Sequence, residues 1–173
     1  VAYAKANPGQ LSFASAGVGG TAHLAAELFG SLSHTEIVHV PYKGSSGATS
    51  DLATGRVQAM FTSLPSMQPL LDKGLVRLIA ATAPNTSQAT RALPLMSATL
   101  PGFEYSSWYA LYAPRQTPTP VVARINVVVQ QVLKDPELKA KIEPHGMELV
   151  PSGPDEVTTW VKRDEDKWRA VIR

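Results

Sequence analysis

Segments with a strand-like and a helix-like pattern of hydrophobic residues alternate along the first 83 residues of the chain. Short segments rich in apolar residues are predicted strands, and they lie at 11–15, 37–40, 57–61 and 76–81. The segments between them are predicted helices, at 21–33, 48–54 and 66–73. In the first helix Leu24, Leu28 and Leu32 recur on one face, which is typical of amphipathic helices. Because the connections are short and helical, the pattern predicts a parallel sheet covered by helices on both faces.

The pattern changes after residue 82. A long irregular stretch rich in Thr, Pro, Ser and Ala covers 82–104, and 107–113 is a predicted strand with no helix before it. Three helices are predicted to follow that strand, at 120–134, 136–146 and 154–172. Asp135 and Pro136 mark the start of the middle helix, since aspartate caps a helix and proline suits its first turn.

The composition allows a folded domain and excludes several classes of function. Of the 173 residues 44% are hydrophobic, and 16 basic and 14 acidic side chains give a formal net charge of +2. No basic patch is concentrated enough to predict a nucleic-acid partner. The absence of cysteine excludes disulfides, thiolate nucleophiles and cysteine zinc sites. The longest uncharged stretch, 6–26, contains Asn, Pro, Gly, Gln and His, so no direct insertion into a membrane is predicted.

The glycine-rich connection after the first predicted strand is the main candidate for a ligand site. Parallel sheets bind ligands beyond the carboxyl ends of their strands, and the sequence there is Ser15-Ala16-Gly17-Val18-Gly19-Gly20-Thr21. Unpaired main-chain N–H groups between Gly17 and Thr21, together with the helix dipole, are expected to bind an anion. The alternative is that the glycines only permit a tight turn. The spacing matches neither the dinucleotide fingerprint nor a P-loop.

Two further loops at the same predicted sheet edge supply the other candidates. Tyr42, Lys43 and Gly44 follow the second strand, and Thr62 and Ser63 follow the third. Lys43 could pair with a ligand charge or be solvated, and Tyr42 could form a cleft wall or be a packed residue. Thr62 and Ser63 could donate hydrogen bonds to ligand oxygens or cap the next helix.

Signals for catalysis or metal binding are weak. Neither Gly-x-Ser-x-Gly nor His-Glu-x-x-His occurs, and His34 and His39 are poorly spaced for a metal, with only Glu36 between them. His23, one turn into the first long helix, is predicted to be partly buried with its polar atoms satisfied, and ligand contact is the alternative. We predict a binding protein with no catalytic residue, no metal and no cofactor.

Several motifs in combination resemble the solute receptors of tripartite tricarboxylate transporters, the Bug family. The matching segments are 7–24 (NPGQLSFASAGVGGTAHL), 40–44 (VPYKG), Asp51-Leu52 to Gly55-x-Val57, Met60-Phe61 with Leu64-Pro65-Ser66, Pro118-x-Pro120 with Arg124-Ile125-Asn126, Asp135-Pro136, Gly146 and Lys167-Trp168. The resemblance covers nearly the whole chain. The opening strand and a Pro-Gly-Gly loop of typical members have no counterpart in this sequence, and Val1 is expected to lie inside a longer polypeptide.

The resemblance implies an α/β fold of the type II periplasmic binding protein class. Such a receptor has two lobes that close on a small carboxylate (a mono-, di- or tricarboxylate) and present it to the membrane subunits of a transporter. Residues 1–105 would form one near-complete parallel-sheet lobe, and 106–173 would be the hinge strand and C-terminal helices returning to the other lobe. A periplasmic location is implied, with a signal peptide expected in a preceding part. Main-chain amides hold the ligand carboxylate in this family, and the matching positions are Ser15, Gly17, Gly19, Gly20 and Thr21, followed by Tyr42, Lys43 and Gly44.

One departure from the family pattern concerns ligand choice. Many relatives have aspartate after the Met-Phe of the third strand, where this chain has Thr62. Without that negative charge, we expect a simple organic acid to be preferred over an amino acid. Two other functions remain open at this point: the effector domain of a bacterial transcription regulator, and an enzyme built on the same fold.

Overall fold

A three-stranded parallel sheet forms the centre of the computed structural model, which describes residues 1–84 and 90–172. The strands are β1 (Ser12–Ser15), β2 (Val38–Pro41) and β3 (Ala59–Met60), in the order β2-β1-β3. Phe13 pairs with His39 on one side and with Ala59 on the other. The predicted parallel sheet is therefore confirmed, with β1 as its central strand.

Helices connect the strands and make up most of the second half of the chain. The helices are α1 (Ala2–Ala6), α2 (Thr21–Ser33), α3 (Ser45–Ala53), α4 (Leu64–Leu71), α5 (Met96–Thr99), α6 (Thr119–Val132), α7 (Pro136–Ile142) and α8 (Pro154–Val171), with a 3-10 turn at Glu143–His145. The predicted bounds of α2 are confirmed. The helix predicted at 66–73 corresponds to α4 and begins two residues earlier than predicted, at Leu64.

Local signals explain where α7 begins and where the turn after it ends. The Asp135 carboxylate accepts hydrogen bonds from the main-chain N–H groups of Glu137, at 2.7 Å, and Leu138, at 3.4 Å. Pro136 occupies the first turn, where no intrahelical N–H bond is needed. Gly146 adopts a φ of +73°, a left-handed conformation that ends the segment. The predicted cap is confirmed.

The two faces of β1 contribute to two apolar clusters, because successive side chains of a strand point to opposite faces. Phe13 packs with Phe29 of α2, and stacks with Phe61, which in turn contacts Phe103. On the other face Ala14 is buried with two residues from the α3 side of the sheet, Ala48 and Val57. Burial of each large side chain contributes roughly 1.5–3 kcal/mol, so the sheet is stabilised from both sides.

Two predicted strands are absent from the described residues, and those two predictions are wrong. In 76–81 only Ala81 forms an isolated bridge, with Leu95, while Ile79 is 67% exposed. In 107–113 no strand forms, and Tyr109 is 90% exposed. Both segments have strand-like composition, but a strand also needs a neighbour to pair with, and apart from the Ala81–Leu95 bridge none of the described residues supplies one.

Residues 82–84 and 90–104 of the stretch that is predicted to be irregular are among the described residues. Residues 85–89 of that prediction lie outside the described residues. The helix α5 interrupts the remainder, where Met96 donates its N–H to the carbonyl of Ala81 at 2.8 Å. Leu100 and Phe103 then enter the core, so the end of this stretch is fixed by burial.

The C-terminal helix α8 returns to pack beside α2. Trp108 Nε1 donates to the Asp164 carboxylate at 2.7 Å, and its ring meets Trp160 edge-on with centroids 6.3 Å apart. The Lys167 ammonium donates to the Glu104 carbonyl. These contacts attach the segment after Phe103 to α8 through polar and aromatic pairs.

Candidate functional site

The loop between β1 and α2 lies beside the loop after β2 at the carboxyl end of the sheet. Tyr42 donates its main-chain N–H to the carbonyl of Ser15 at 2.9 Å, and Gly44 donates to that of Ala16 at 3.0 Å. Because β1 is central, both loops meet at one edge of the sheet, where α/β proteins bind ligands. The structure thus brings the first two groups of candidate residues together.

Three amides of the glycine loop are already hydrogen-bonded within the protein. Gly17 N–H donates to Ser15 Oγ at 3.2 Å, and Gly19 N–H donates to His23 Nδ1 at 3.1 Å. Gly20 N–H donates to the Gly17 carbonyl at 3.3 Å. The expectation of unpaired amides from Gly17 to Thr21 is therefore wrong for these three glycines. Their role as ligand-binding residues stays a prediction.

A different set of amides remains available at the start of α2. Within the described ranges, the main-chain N–H groups of Val18, Thr21, Ala22 and His23 have no hydrogen-bond acceptor, as expected where a helix begins. No side chain caps this end, since the residue before Thr21 is a glycine. A cavity of about 310 Å³ adjoins these amides, and its lining residues are Ala16, Gly17, Val18, Gly20, Thr21 and Ala22.

The backbone shape of the loop explains two of its glycines. Gly19 has a φ of +77°, in the left-handed region that side chains disfavour, although a Cβ there would meet no atom within 4 Å. Gly20 has an ordinary φ, but a Cβ there would lie 3.3 Å from the Gly17 carbonyl oxygen. Conformation requires glycine at the first position, and close approach of the backbone favours it at the second.

Ser15 and two histidines lie at the base of the loop. Ser15 is fully buried, and its Oγ is 2.6 Å from His39 Nε2 and 3.0 Å from the Gly17 carbonyl to which it donates. The rings of His39 and His23 stack with centroids 3.9 Å apart, and His23 Nε2 is 3.4 Å from Glu27 Oε1. The prediction of a partly buried, satisfied His23 is confirmed, whereas Ser15 is absent from the lining of the cavity.

His39 was not among the residues predicted to form the site. The sequence pattern indicated only that His39 is poorly spaced from His34 for binding a metal. Burial lowers the pKa of His39 below its ordinary value of 6.5, and the nearby His23 lowers it further, while Glu27 opposes the shift. A histidine alternating with valines inside a predicted strand, as in Val38-His39-Val40, was the available signal. Its contact with Ser15 joins adjacent strands, and sequence spacing does not reveal that pairing.

Tyr42 is packed against α3. Its hydroxyl donates to Asp51 Oδ2 at 2.8 Å, and Arg56 contacts the other oxygen of that carboxylate at 3.3 Å. The hydrogen bond to Asp51 is the main cause that raises the pKa of Tyr42, followed by burial. The ring is so close to Gly47 that a Cβ there would lie 3.0 Å from it. This arrangement agrees with the packed-residue alternative.

The remaining candidates are exposed at the same end of the sheet. Lys43 has no ion pair with any residue in the described part of the chain. Ser63 precedes α4, and its hydroxyl is 2.8 Å from that of Ser66. Thr62 is exposed after β3. None of these three lines the cavity, so their part in binding stays a prediction.

A second, larger groove borders the start of α2. Its volume is about 780 Å³, and it lies between α2, α8 and the segment after Phe103, with lining residues Thr21, Leu24, Tyr105, Ser106, Ser107, Trp108, Tyr112, Val161, Asp164, Glu165, Trp168, Arg169 and Ile172. Burial raises the pKa of Tyr105, and hydrogen bonds to Thr21 and Ser107 oppose the shift. Thr21 lines both this groove and the smaller cavity. The sequence did not reveal the groove, because its walls come from distant segments.

The described residues contain neither a metal-binding cluster nor a membrane-spanning helix. Among them, no three His, Cys, Asp or Glu side chains gather closely enough to hold a metal ion. No helix in 1–84 or 90–172 combines the length and apolar character that a bilayer span requires.

Comparison with known proteins adds independent information. The family model described as "Tripartite tricarboxylate transporter family receptor", TctC, matches residues 1–173. A UPF0065 protein in the tcbD-tcbE intergenic region of Pseudomonas sp. (strain P51) is 34% identical over 98% of this chain and 51% of its own length. The chain therefore spans about half the length of that curated relative.

Solved structures show the same likeness. Rpa4515 of R. palustris, described "with adipate", has a TM-score of 0.88 and 34% identity over 98% of this chain and 57% of its own. MatC from Rhodopseudomonas palustris, described "with bound malate", has a TM-score of 0.85 and 26% identity over 99% of this chain and 60% of its own. The family is one of solute receptors and not of enzymes, and its fold is the α/β fold of periplasmic binding proteins. This chain belongs to the tripartite tricarboxylate transporter receptor family.

Proposed function

We propose that this chain is part of a periplasmic receptor that captures a small carboxylate for a tripartite tricarboxylate-type transporter. The observation that carries the proposal is the set of acceptor-free amides at the start of α2, beside a cavity at the carboxyl edge of the sheet. Two oxygens of a carboxylate can accept hydrogen bonds from such a set. A signal peptide in a preceding part of the polypeptide belongs to the same proposal.

The strength of such a site follows from its donors. Each hydrogen bond from an amide to a charged group contributes about 1.5–3 kcal/mol, and the dipole of the 13-residue α2 adds at most about 2 kcal/mol in a partly buried site. With the dipole, two amides at the upper end of this range, or three at about 2 kcal/mol each, reach the roughly 8 kcal/mol that corresponds to micromolar binding. No arginine is required.

The ligand class is proposed from the neighbours and from one side chain. The descriptions of the two solved structures name adipate and malate, which are both dicarboxylates. Thr62 offers a neutral hydroxyl at the end of β3, where an aspartate would attract an ammonium group. A simple organic acid is therefore the preferred ligand. Tighter binding of glutamate or aspartate than of any such acid would contradict this choice.

The division of the chain into 1–105 and 106–173 is part of the same proposal. Large apolar residues of the second segment are exposed, including Tyr109 at 90% and Leu111 at 73%. In a two-lobed receptor the second segment begins with the hinge and packs against the other lobe, which would cover these side chains. Closure about the hinge would then remove the carboxylate from water and create the surface that the transporter recognises.

Replacement of Thr21 by proline tests the amide site. Proline is well tolerated at the first position of a helix, and the preceding Gly20 already has the extended backbone that proline favours. Thr21→Pro removes one N–H donor, so adipate affinity measured by calorimetry should fall about tenfold to a hundredfold.

Two matched variants separate the amide from other effects. Thr21→Ala removes the side chain but keeps the N–H group, and should bind adipate much more tightly than Thr21→Pro. Ala2→Pro places proline at the first position of α1, away from the cavity, and should bind as the unaltered protein does. Equal affinities for all three variants would refute the site.

A further inference from the structure

We infer that His23 and His39 are positioning residues that hold the two ends of the glycine loop from beneath, and so keep the α2 amides in place for a carboxylate. This inference rests on the proposed carboxylate site, and it explains what fixes the conformation of the loop at that site. Neither histidine needs to touch the ligand. Three contacts hold the loop in place: one at Gly17, one at Gly19, and the stacking of the two rings.

The Gly17 end of the loop is held through Ser15. The Ser15 hydroxyl accepts from Gly17 N–H at 3.2 Å, donates to the Gly17 carbonyl at 3.0 Å, and lies 2.6 Å from His39 Nε2. A hydroxyl has one hydrogen to donate. If that hydrogen lies toward Gly17, His39 donates from Nε2, and the buried hydroxyl is satisfied on every side.

The Gly19 end of the loop is held by His23. Gly19 N–H donates to His23 Nδ1 at 3.1 Å, and His23 Nε2 is 3.4 Å from Glu27 Oε1. A ring nitrogen accepts a hydrogen bond only when it carries no proton. The neutral tautomer with its hydrogen on Nε2 satisfies both contacts, whereas the imidazolium has no acceptor left for Gly19.

The stacked rings connect the two ends. His23 on α2 and His39 on β2 are 3.9 Å apart between centroids, at an angle of 25°. Within the described residues, the charged group that interacts with both rings is Glu27 on α2. Burial lowers the pKa of His39 and the neighbouring His23 lowers it further, which favours the neutral imidazole of His39 in the stacked pair.

The consequence for binding follows from the backbone of Gly19. Its φ of +77° belongs to a region that glycine enters freely, so the conformation of the loop depends on the bonds that hold it. Without the acceptor at His23, the Gly19 peptide is free to turn, and the neighbouring amides of Val18 and Thr21 lose their fixed arrangement. Carboxylate affinity should then fall although no ligand contact has been removed.

Amide hydrogen exchange followed by NMR tests the Gly19 contact without any ligand. In His23→Leu the Gly19 N–H loses its acceptor and should exchange with solvent faster than in the unaltered protein. In His23→Asn the Oδ1 atom can replace the Nδ1 acceptor, so most of the protection of Gly19 should return. The Gly44 amide, bonded to Ala16, serves as the internal control. A Gly19 exchange rate that is the same in the unaltered protein and in His23→Leu would overturn the inference.

Calorimetry with adipate adds a functional measurement. His23→Leu removes the acceptor and should weaken adipate binding about threefold to tenfold, whereas His23→Asn should restore most of it. His34→Asn, at an exposed site in the left-handed conformation that asparagine tolerates, should have no effect. Equal binding by His23→Leu and the unaltered protein would overturn the inference but leave the proposed function intact. If the unaltered protein bound neither adipate nor malate, the proposed function would fail, and the NMR result alone would decide this inference.

Discussion

Residues 1–84 and 90–103 bury apolar side chains around a sheet, whereas residues 106–172 leave many of theirs exposed. Every buried hydrophobic residue in the described ranges lies at or before Phe103. The later segment forms the long helices α6 and α8 but contributes none of them, and on α6 Val127 and Val132 are about half exposed. Secondary structure and core formation are therefore separable here. Local signals mark where these helices begin and end, while most of a helix's stability comes from packing its apolar face against a second surface.

Replacing one aromatic residue in each region should show the largest difference. Phe103→Ala removes a ring that is 1% exposed, and should lower the free energy of unfolding by about 3–5 kcal/mol, since the cavity cannot collapse fully. Tyr109→Ala removes a ring that is 90% exposed and should change it by less than about 0.5 kcal/mol. Urea unfolding measures both. Equal losses would show that the second region is packed as tightly as the first.

The same contrast explains which secondary-structure elements could be predicted from the sequence. The alternation of apolar residues predicted β1, α2 and the parallel sheet, because each element had a neighbour within the chain to bury its apolar face. The residue types of Asp135-Pro136-Glu137 predicted the helix cap, which depends on these three adjacent residues alone. The strands predicted at 76–81 and 107–113 did not form, because strand pairing depends on a partner that composition does not specify.

For the candidate site, too, one part could be predicted from the sequence and another could not. Glycines at a strand end predicted the position of the loop, since that location follows from topology. Which amides remain free did not follow, because Gly17 and Gly19 donate to Ser15 and His23, and those bonds depend on side-chain geometry. The importance of His39 was missed for the same reason, as its partner Ser15 is 24 residues away.

Removing the cap of α7 should have an intermediate effect that stays local. Asp135→Ala loses two hydrogen bonds to main-chain N–H groups and should destabilise the helix by about 1 kcal/mol. Faster amide exchange at Lys139 and neighbouring residues of α7, with no change in β1, is the expected result. Asp135→Asn, which keeps an acceptor, is the matched control. Faster exchange in β1 as well would mean that the two regions unfold as one unit.

Acid should lower the free energy of unfolding of the first region through His39, by less than the two substitutions above do. The pKa of His39 is lowered in the folded state, so the unfolded chain binds a proton that the folded chain resists. Stability should be complete above the ordinary histidine pKa of about 6.5 and fall as the pH decreases from there, until folded His39 is itself protonated. Urea unfolding at several pH values measures the fall, which His39→Asn should flatten and His34→Asn should not. A fall of the same size in His39→Asn would assign it to other groups.

The amide spectrum during an adipate titration tests the central claim most directly. The signals of Val18, Thr21 and Ala22 should move most and become protected from exchange, because their N–H groups gain an acceptor. Those of Gly17, Gly19 and Gly20 should stay protected throughout, since their bonds are internal. Binding detected by calorimetry with no change at the start of α2, and with changes confined to Thr62 and Ser63, would contradict the account.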